Sequence, residues 1–306
     1  MMQNELALGI DLGGTNIKVA LLDGKLESIE EATLPTVATD VERGKRWKQD
    51  IGDLVKKFQK KSFNAIEVVG IAAPGLANSQ NTSIAHLPNK LPGLENFYWE
   101  DFLGIKTFVL NDAHAALVAE SRLGAGKGFQ NIVLFTLGTG VGGGVIIDGK
   151  LLQGQKGRAG HFGHFSINQN EEQSIANMPG SLENAIGECS MKRRSYGKFH
   201  STKEVVGAHL QGDHLASWVW LNSVQQLARG IASLLNAFSP EVVILGGGIT
   251  KAGDALMLPL KNFLDVYEWR PGGFQTPIKF ATLGRKAGAV GAVLFAKEKA
   301  NQTKDL

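Results

Sequence analysis

A pattern of strand, glycine turn, strand and Asp-Gly turn occurs twice in this chain of 306 residues, over residues 6–24 and again over 131–149. In the first copy Leu6-Ala7-Leu8-Gly9-Ile10 reads as a strand and Gly13-Gly14 as a tight turn. Ile17 to Leu22 alternates as the return strand, and Asp23-Gly24 follows. In the second copy Asn131 to Leu137 leads into Gly138-Thr139-Gly140-Val141-Gly142-Gly143-Gly144. The return run Gly144-Val145-Ile146-Ile147 ends at Asp148-Gly149. Apolar runs joined by Gly-Gly or Asp-Gly are hairpin signals. A repeated supersecondary unit predicts two related α/β domains, and the length agrees with about two.

A third glycine turn, Leu245-Gly246-Gly247-Gly248-Ile249, follows the apolar run Glu241 to Leu245. Glycine lets a backbone turn sharply and lets a bulky anion approach its N–H groups. Three such turns spread over the chain suggest one nucleotide held between two similar halves. They are not a P-loop, because GxxxxGK[ST] is absent. Gly138, Gly140 and Gly143 satisfy GxGxxG, but a strand rather than a helix is expected to follow, which argues against a dinucleotide site. Asp11, Thr15 and Thr139 add polar groups to the turns. An aspartate there can hold Mg²⁺ directly or through water, and hydroxyls can bond phosphate oxygens.

Between the turns the pattern predicts further elements. Trp47 to Phe58 has helical spacing; Val68 to Ala73 is a strand ended by Pro74-Gly75; Thr107 to Leu110 is a strand ended by Asn111-Asp112. Ala113 to Leu123 and Val219 to Phe238 are helices, and Trp218 and Trp220 read as core or interface anchors. Gly154 to about Phe199 is irregular and polar, and stretches of that length are usually functional or disordered. Residues 286–299 form a small-residue helix, with a frayed tail expected from Asn301.

Hydrophobic residues make up 43% of the chain, enough for sizeable cores. The net charge of +3 gives no case for a nucleic-acid partner, and Lys192-Arg193-Arg194 reads as a solvated helix face. The single cysteine, Cys189, permits no intramolecular disulfide. No apolar run approaches the ~20 residues of a membrane span, and the opening Met-Met-Gln-Asn-Glu is not a signal peptide. The chain reads as cytoplasmic, with no membrane partner.

In this order and spacing the three turns resemble the phosphate-1, phosphate-2 and adenosine motifs of the actin-like ATPase superfamily. Within it the chain resembles the ROK family of bacterial sugar kinases. The resemblance rests on Asp11-Leu12-Gly13-Gly14-Thr15-Asn16-Ile17-Lys18, Ala73-Pro74-Gly75, Leu87-Pro88-Asn89, Leu91-Pro92-Gly93, Asn111-Asp112-Ala113, Thr136 to Gly144, Leu245 to Gly248 and Ala287-Gly288-Ala289-Val290-Gly291-Ala292. It covers essentially the whole chain. Some members are repressors with an N-terminal helix-turn-helix; the ten residues before Asp11 are read as too few for one.

The resemblance implies two ribonuclease-H-like domains with the active site in the cleft between them. Residues 1–113 would form a sugar-side domain with the catalytic aspartate and residues 114–306 a nucleotide-side domain, the last helix packing back on the first. It implies nucleotide contacts at Asp11, Gly13, Gly14, Thr15, Asn16, Lys18, Gly138, Thr139, Gly140, Gly246, Gly247 and Gly248, with ATP and Mg²⁺ as cofactors and Asp11 as the metal residue. Taken alone, the Asn111-Asp112 pair reads as a helix cap. The resemblance makes Asp112 the general base for a sugar hydroxyl and Asn111, Asn89 and Gly75 part of the sugar site. It further implies a homodimer.

The chain departs from the family's Glu-x-Gly-His motif and its zinc-binding Cys-x-Cys-Gly-x-x-Gly-Cys-x-Glu segment. The first reads His161-Phe162-Gly163-His164 and the second Ser174 to Glu183, with all three cysteines replaced. Four ligands are needed for a structural zinc, so none is expected. His164 and Glu183 remain as expected sugar contacts. His161 replaces a glutamate that helps choose the sugar, and an imidazole offers a different donor and acceptor set from a carboxylate. Turn chemistry at Pro179-Gly180 is expected to hold the loop instead. The leading expectation is therefore a glucokinase-like, ATP-dependent hexose kinase. The alternative is a non-catalytic sugar-binding or sensor protein on the same fold.

Overall fold

The computed structural model describes residues 6–36, 46–62, 64–87, 91–168, 173, 174 and 177–304. They form two compact units. The first is Met1–Leu123 with Gln153–Arg158 and Arg285–Leu306; the second is Gly124–Leu152 with Ala159–Gly284.

The first unit contains β1 (Leu6–Leu12), β2 (Asn16–Leu22), β3 (Ser28–Pro35), α1 (Trp47–Lys61), β4 (Ile66–Ala73), β5 (Leu76–Ala77), β6 (Ile84–His86), α2 (Trp99–Leu103), β7 (Thr107–Asn111) and α3 (Asp112–Leu123). Its sheet runs β3-β2-β1-β4-β7. The first three strands are antiparallel, whereas β4 and β7 run parallel to β1. Strands buried on both faces read as continuous apolar runs, and β1 and β4 do so. Leu8, Ile10, Ile51, Phe58, Ile71 and Trp99 are the fully buried centre of this core. Each contributes about 1.5–3 kcal/mol by leaving water.

The second unit begins with β8 (Ile132–Leu137), β9 (Val141–Ile147) and β10 (Lys150–Leu151). It continues through α4 (Leu182–Ile186), α5 (Met191–Arg194), α6 (Thr202–Leu210), α7 (His214–Phe238), β11 (Val242–Gly246), α8 (Asp254–Tyr267) and β12 (Ile278–Phe280). Its sheet runs β10-β9-β8-β11-β12, again three antiparallel strands followed by parallel ones. The duplicated hairpin of the sequence is thus a duplicated five-stranded topology. Phe135, Phe162, Trp220, Leu227, Val243 and Leu245 centre the second core.

The closing helix α9 (Ala287–Lys304) belongs to the first unit, where it packs on α3 and β4. It continues past Asn301 to Lys304, so the tail expected to fray from Asn301 is helical that far. Helix α7 starts five residues before Val219, because Asp213 caps it by accepting from the Ala216 N–H at 2.9 Å. Trp220 is buried and donates to the Ala255 carbonyl, while Trp218 is exposed. Strand β3 has no counterpart in the sequence reading. It is an edge strand with Glu30, Glu31 and a terminal Pro35, the composition that discourages edge pairing and hides a strand from apolar patterning. Among the described residues no helix is long and apolar enough to cross a membrane.

Candidate functional site

Asp11 lies near the end of β1, directly opposite Lys18 on β2, and the two side chains pair at 3.3 Å. The Gly13 N–H closes the turn on the Asn16 carbonyl at 3.0 Å. Thr36 clamps that turn twice, its hydroxyl donating to the Gly13 carbonyl at 2.8 Å and its N–H to the Thr15 carbonyl at 2.8 Å. Gly14, Thr15 and Asn16 are left exposed at the tip. The Asp11 carboxylate is 18% exposed. Gly288, in the first turn of α9, faces it so closely that a Cβ there would stand 2.8 Å from Asp11 Cγ.

Strands β4 and β7 end side by side, with Ala73 opposite Asn111. The chain leaves β4 through Gly75 at φ +98°, where a Cβ would come within 2.6 Å of the His86 carbonyl oxygen. Asn111 Nδ2 donates to the Gly75 carbonyl at 3.0 Å. Its Oδ1 accepts the N–H groups of Ala113 at 3.0 Å and His114 at 3.3 Å, capping α3. The Asn111 amide is thereby buried at 5% exposure, whereas its neighbour Asp112 is exposed on the first turn. Asp112 Oδ1 accepts the Ala113 N–H at 2.8 Å. Asn89 lies outside the described residues. The flanking Leu87 and Leu91 are buried, and Glu95 accepts the Leu87 N–H.

In the second unit the turn is shorter than its seven glycine-rich residues suggested. It spans Gly138, Thr139 and Gly140, the Gly138 N–H donating to the Gly140 carbonyl at 3.0 Å, and β9 starts at Val141. Gly143 and Gly144 are strand residues, Gly143 because the Phe162 ring lies where a Cβ would project, 2.3 Å away. A Cβ at Gly163 would stand 2.1 Å from the Val141 carbonyl oxygen, so the segment His161 to His164 lies directly against β9. The two imidazole rings are parallel, with centroids 6.4 Å apart. His164 Nδ1 is buried and has no hydrogen-bond partner among the described residues.

Glu183 is 8% exposed and its Oε2 accepts the Val141 N–H at 3.1 Å. The carboxylate is therefore seated on the glycine turn, spending part of its acceptor capacity there. Cys189 is nearby. Burial, then the Glu183 charge, push its thiol pKa up, with Arg194 pulling the other way. The third turn leaves β11 at Gly246, and Gly247 and Gly248 are exposed. Thr250 Oγ1 fixes it by donating to the Gly247 carbonyl at 2.7 Å.

Serines stand where the resemblance places two of the cysteines, and both are used. Ser181 Oγ caps α4 by accepting the Asn184 N–H at 3.1 Å, which orients the helix that carries Glu183. The Ser174 carbonyl and N–H close a turn on Asn177 and Met178, at 2.9 and 2.8 Å. Ser166 Oγ donates to the Pro179 carbonyl at 2.7 Å, and the Ile167 N–H to the Gly180 carbonyl at 2.8 Å. Among the described residues no three His, Cys, Asp or Glu side chains gather as a metal-binding group. The Lys192-Arg193-Arg194 run is solvated only in part, since Arg194 turns inward to Ser190, Ser223 and the Gly187 carbonyl. Sequence reasoning gave no role to Thr36, met Gly288 and Ser181 only inside motifs of the resemblance, and read Arg194 as part of a solvated helix face. Ser181 carries a local signal that could have found it, a serine whose hydroxyl can cap the helix N–H three residues on.

A family model described as ROK family matches residues 7–299. A glucokinase from Thermotoga maritima is 32% identical, over 95% of this chain and 97% of its own length. An N-acetyl-D-glucosamine kinase from Haemophilus influenzae is 30% identical over 93% and 97%. The solved structure of a ROK family glucokinase from Streptomyces griseus, in complex with glucose and AMPPNP, superposes with a TM-score of 0.75 at 27% identity, covering 96% of this chain and 99% of that one.

Proposed function

The chain belongs to the ROK family, and we propose that it is a sugar kinase transferring the γ-phosphoryl group of ATP to a hexose hydroxyl, glucokinase-like in using the primary one. The observation that carries this reading is the Asn111-Asp112 corner. A buried amide takes over the capping of α3 and leaves the adjoining carboxylate exposed at the carboxyl end of β7. Asp112 is the general base, accepting the hydroxyl proton as the oxygen attacks phosphorus. Phosphoryl transfer asks mainly for positioning and charge stabilisation. The Gly13 and Gly138 N–H groups close the two turns, and the N–H groups and hydroxyls of Gly14 to Asn16 and of Thr139 and Gly140 supply positioning and charge stabilisation to the phosphates, together with Lys18. Gly246 to Gly248 serve the adenosine side.

Mg²⁺ fits at Asp11. The carboxylate is partly buried, and Gly288 leaves open beside it the space a Cβ would fill. Magnesium is commonly held by one or two carboxylates with phosphates and water, and when bound it neutralises charge on the phosphates. On the sugar side the reading uses Gly75, Asn89, Asn111, His161, His164 and Glu183. The Nδ1 of His164, which has no partner among the described residues, supports a hydroxyl contact there. Relatives named glucokinase and N-acetyl-D-glucosamine kinase support a hexose or its N-acetylamino derivative as the substrate class. The two units would divide the work as sugar-side and nucleotide-side domains of a cytoplasmic homodimer.

A coupled ADP assay over glucose, mannose, fructose, N-acetylglucosamine and N-acetylmannosamine tests the proposal. Hexose-dependent ADP release is expected with at least one of them. Saturable sugar binding with no ADP release from any would replace the kinase by a sensor.

A further inference from the structure

The basic run at 192–194 ends in a residue that is not on the surface with its neighbours. Arg194 is partly buried, and its guanidinium donates in three directions. Nε reaches Ser190 Oγ at 2.9 Å, Nη2 the Gly187 carbonyl at 2.9 Å, and Nη1 the Ser223 hydroxyl of α7. The segment it grips, Gly187 to Ser190, borders the second glycine turn. The Glu188 N–H donates to the Gly138 carbonyl at 3.0 Å and the Cys189 N–H to the Thr139 carbonyl at 2.9 Å.

A trans peptide is planar, with its C=O and N–H pointing in opposite directions. The Gly138 carbonyl shares its plane with the Thr139 N–H, and the Thr139 carbonyl with the Gly140 N–H. Binding both carbonyls from one side therefore turns both N–H groups to the other. Those are the donors that the kinase reading assigns to a phosphate. We propose that Arg194 is a positioning residue for the nucleotide. By tying the 187–190 segment to the core helix α7, it fixes the two peptide planes whose N–H groups meet the phosphate. The proposal rests on the ATP site assigned above. Arginine suits the task, because a rigid planar fork reaches three fixed acceptors that a single ammonium cannot.

The test compares wild type with Arg194→Ala, Arg194→Lys and Ser223→Ala. The measurements are melting curves, steady-state KM for ATP and for the sugar, and calorimetric affinity for a non-hydrolysable ATP analogue. Arg194→Ala is expected to weaken ATP and the analogue by about tenfold or more, with the sugar KM changed far less. Arg194→Lys should fall between, Ser223→Ala should shift nucleotide affinity a smaller step the same way, and millimolar ethylguanidinium should partly restore the alanine variant. A lowered melting temperature with unaltered nucleotide affinity would make Arg194 merely structural and overturn the proposal. If the alanine variant does not fold, unaltered affinity in both Arg194→Lys and Ser223→Ala overturns it equally. Should wild type bind the analogue but release no ADP with any hexose, the kinase reading fails while the calorimetric comparison still decides the role of Arg194.

Discussion

Asn111 Nδ2 stands 3.0 Å from the carbonyl oxygen of Gly75, while the oxygen of the same amide caps α3. One side chain thus joins the ends of two parallel strands and sets the direction in which the next residue, Asp112, leaves the sheet. Asn111→Ala removes a cap worth about 0.5–2 kcal/mol together with the tether to Gly75. Asn111→Asp keeps the cap acceptor but puts a carboxylate oxygen against the Gly75 carbonyl. The alanine variant is therefore expected to lose about 1–2 kcal/mol in denaturant melts. The aspartate variant should also unfold earlier than wild type, and both should lose most of their kcat/KM.

Two glycines of α9 separate site from scaffold. A Cβ at Gly288 would meet the Asp11 carboxylate at 2.8 Å, whereas one at Gly291 would meet the Ala115 backbone oxygen at 1.8 Å. A carboxylate can swing away and a helix backbone cannot. Gly288→Ala is expected to fold near normally and to need more Mg²⁺ and ATP for half-maximal rate. Gly291→Ala is expected to unfold at markedly lower denaturant, because overpacking typically costs about 1–3 kcal/mol. Equal nucleotide affinity in Gly288→Ala and wild type would remove Asp11 from the metal site.

Hydrogen bonds of Ser181 and of the Ser174 turn lie in the segment where the resemblance places the family's zinc site. Ser181→Ala should cost about 1 kcal/mol through the lost cap of α4. Treatment with a strong zinc chelator should leave the melting temperature unchanged. A drop on chelation, restored by zinc, would show that the segment binds metal after all.

Cys189 provides a probe of the Glu183 environment. Its thiol pKa is raised, first by burial and then by the Glu183 carboxylate, so less thiolate is present at neutral pH than in an ordinary cysteine. Iodoacetamide should react slowly near neutrality, with the rate rising through a midpoint above that of a free thiol. Glu183→Gln removes the nearby negative charge and should move that midpoint down. An unmoved midpoint would show that the Glu183 charge does not act on the Cys189 thiol.

The glycine turns and both hairpins were legible in the sequence because each is a local event, a strand that reverses within a few residues. The Asn111-Asp112 corner was visible as a cap, but which residue caps and which is exposed depends on a contact with Gly75, 36 positions away. Arg194 looked like one more surface cation, since nothing local announces that Ser223 on α7 receives it. The compact first unit runs on to Leu123 because α3 packs against α9 from the far end of the chain. Glu183 was legible as a site residue only through resemblance; that it sits on the Val141 N–H is a finding of the fold.

The central claim is that the exposed carboxylate of Asp112 takes the sugar proton. Asp112→Asn keeps size and the bond to the Ala113 N–H but cannot act as that base. Its rate of hexose-dependent ADP release, measured beside its affinity for the sugar and for an ATP analogue, is the most direct test. A fall of about 10²-fold or more in kcat with both affinities retained is the expected result. A kcat equal to that of the wild type would contradict it.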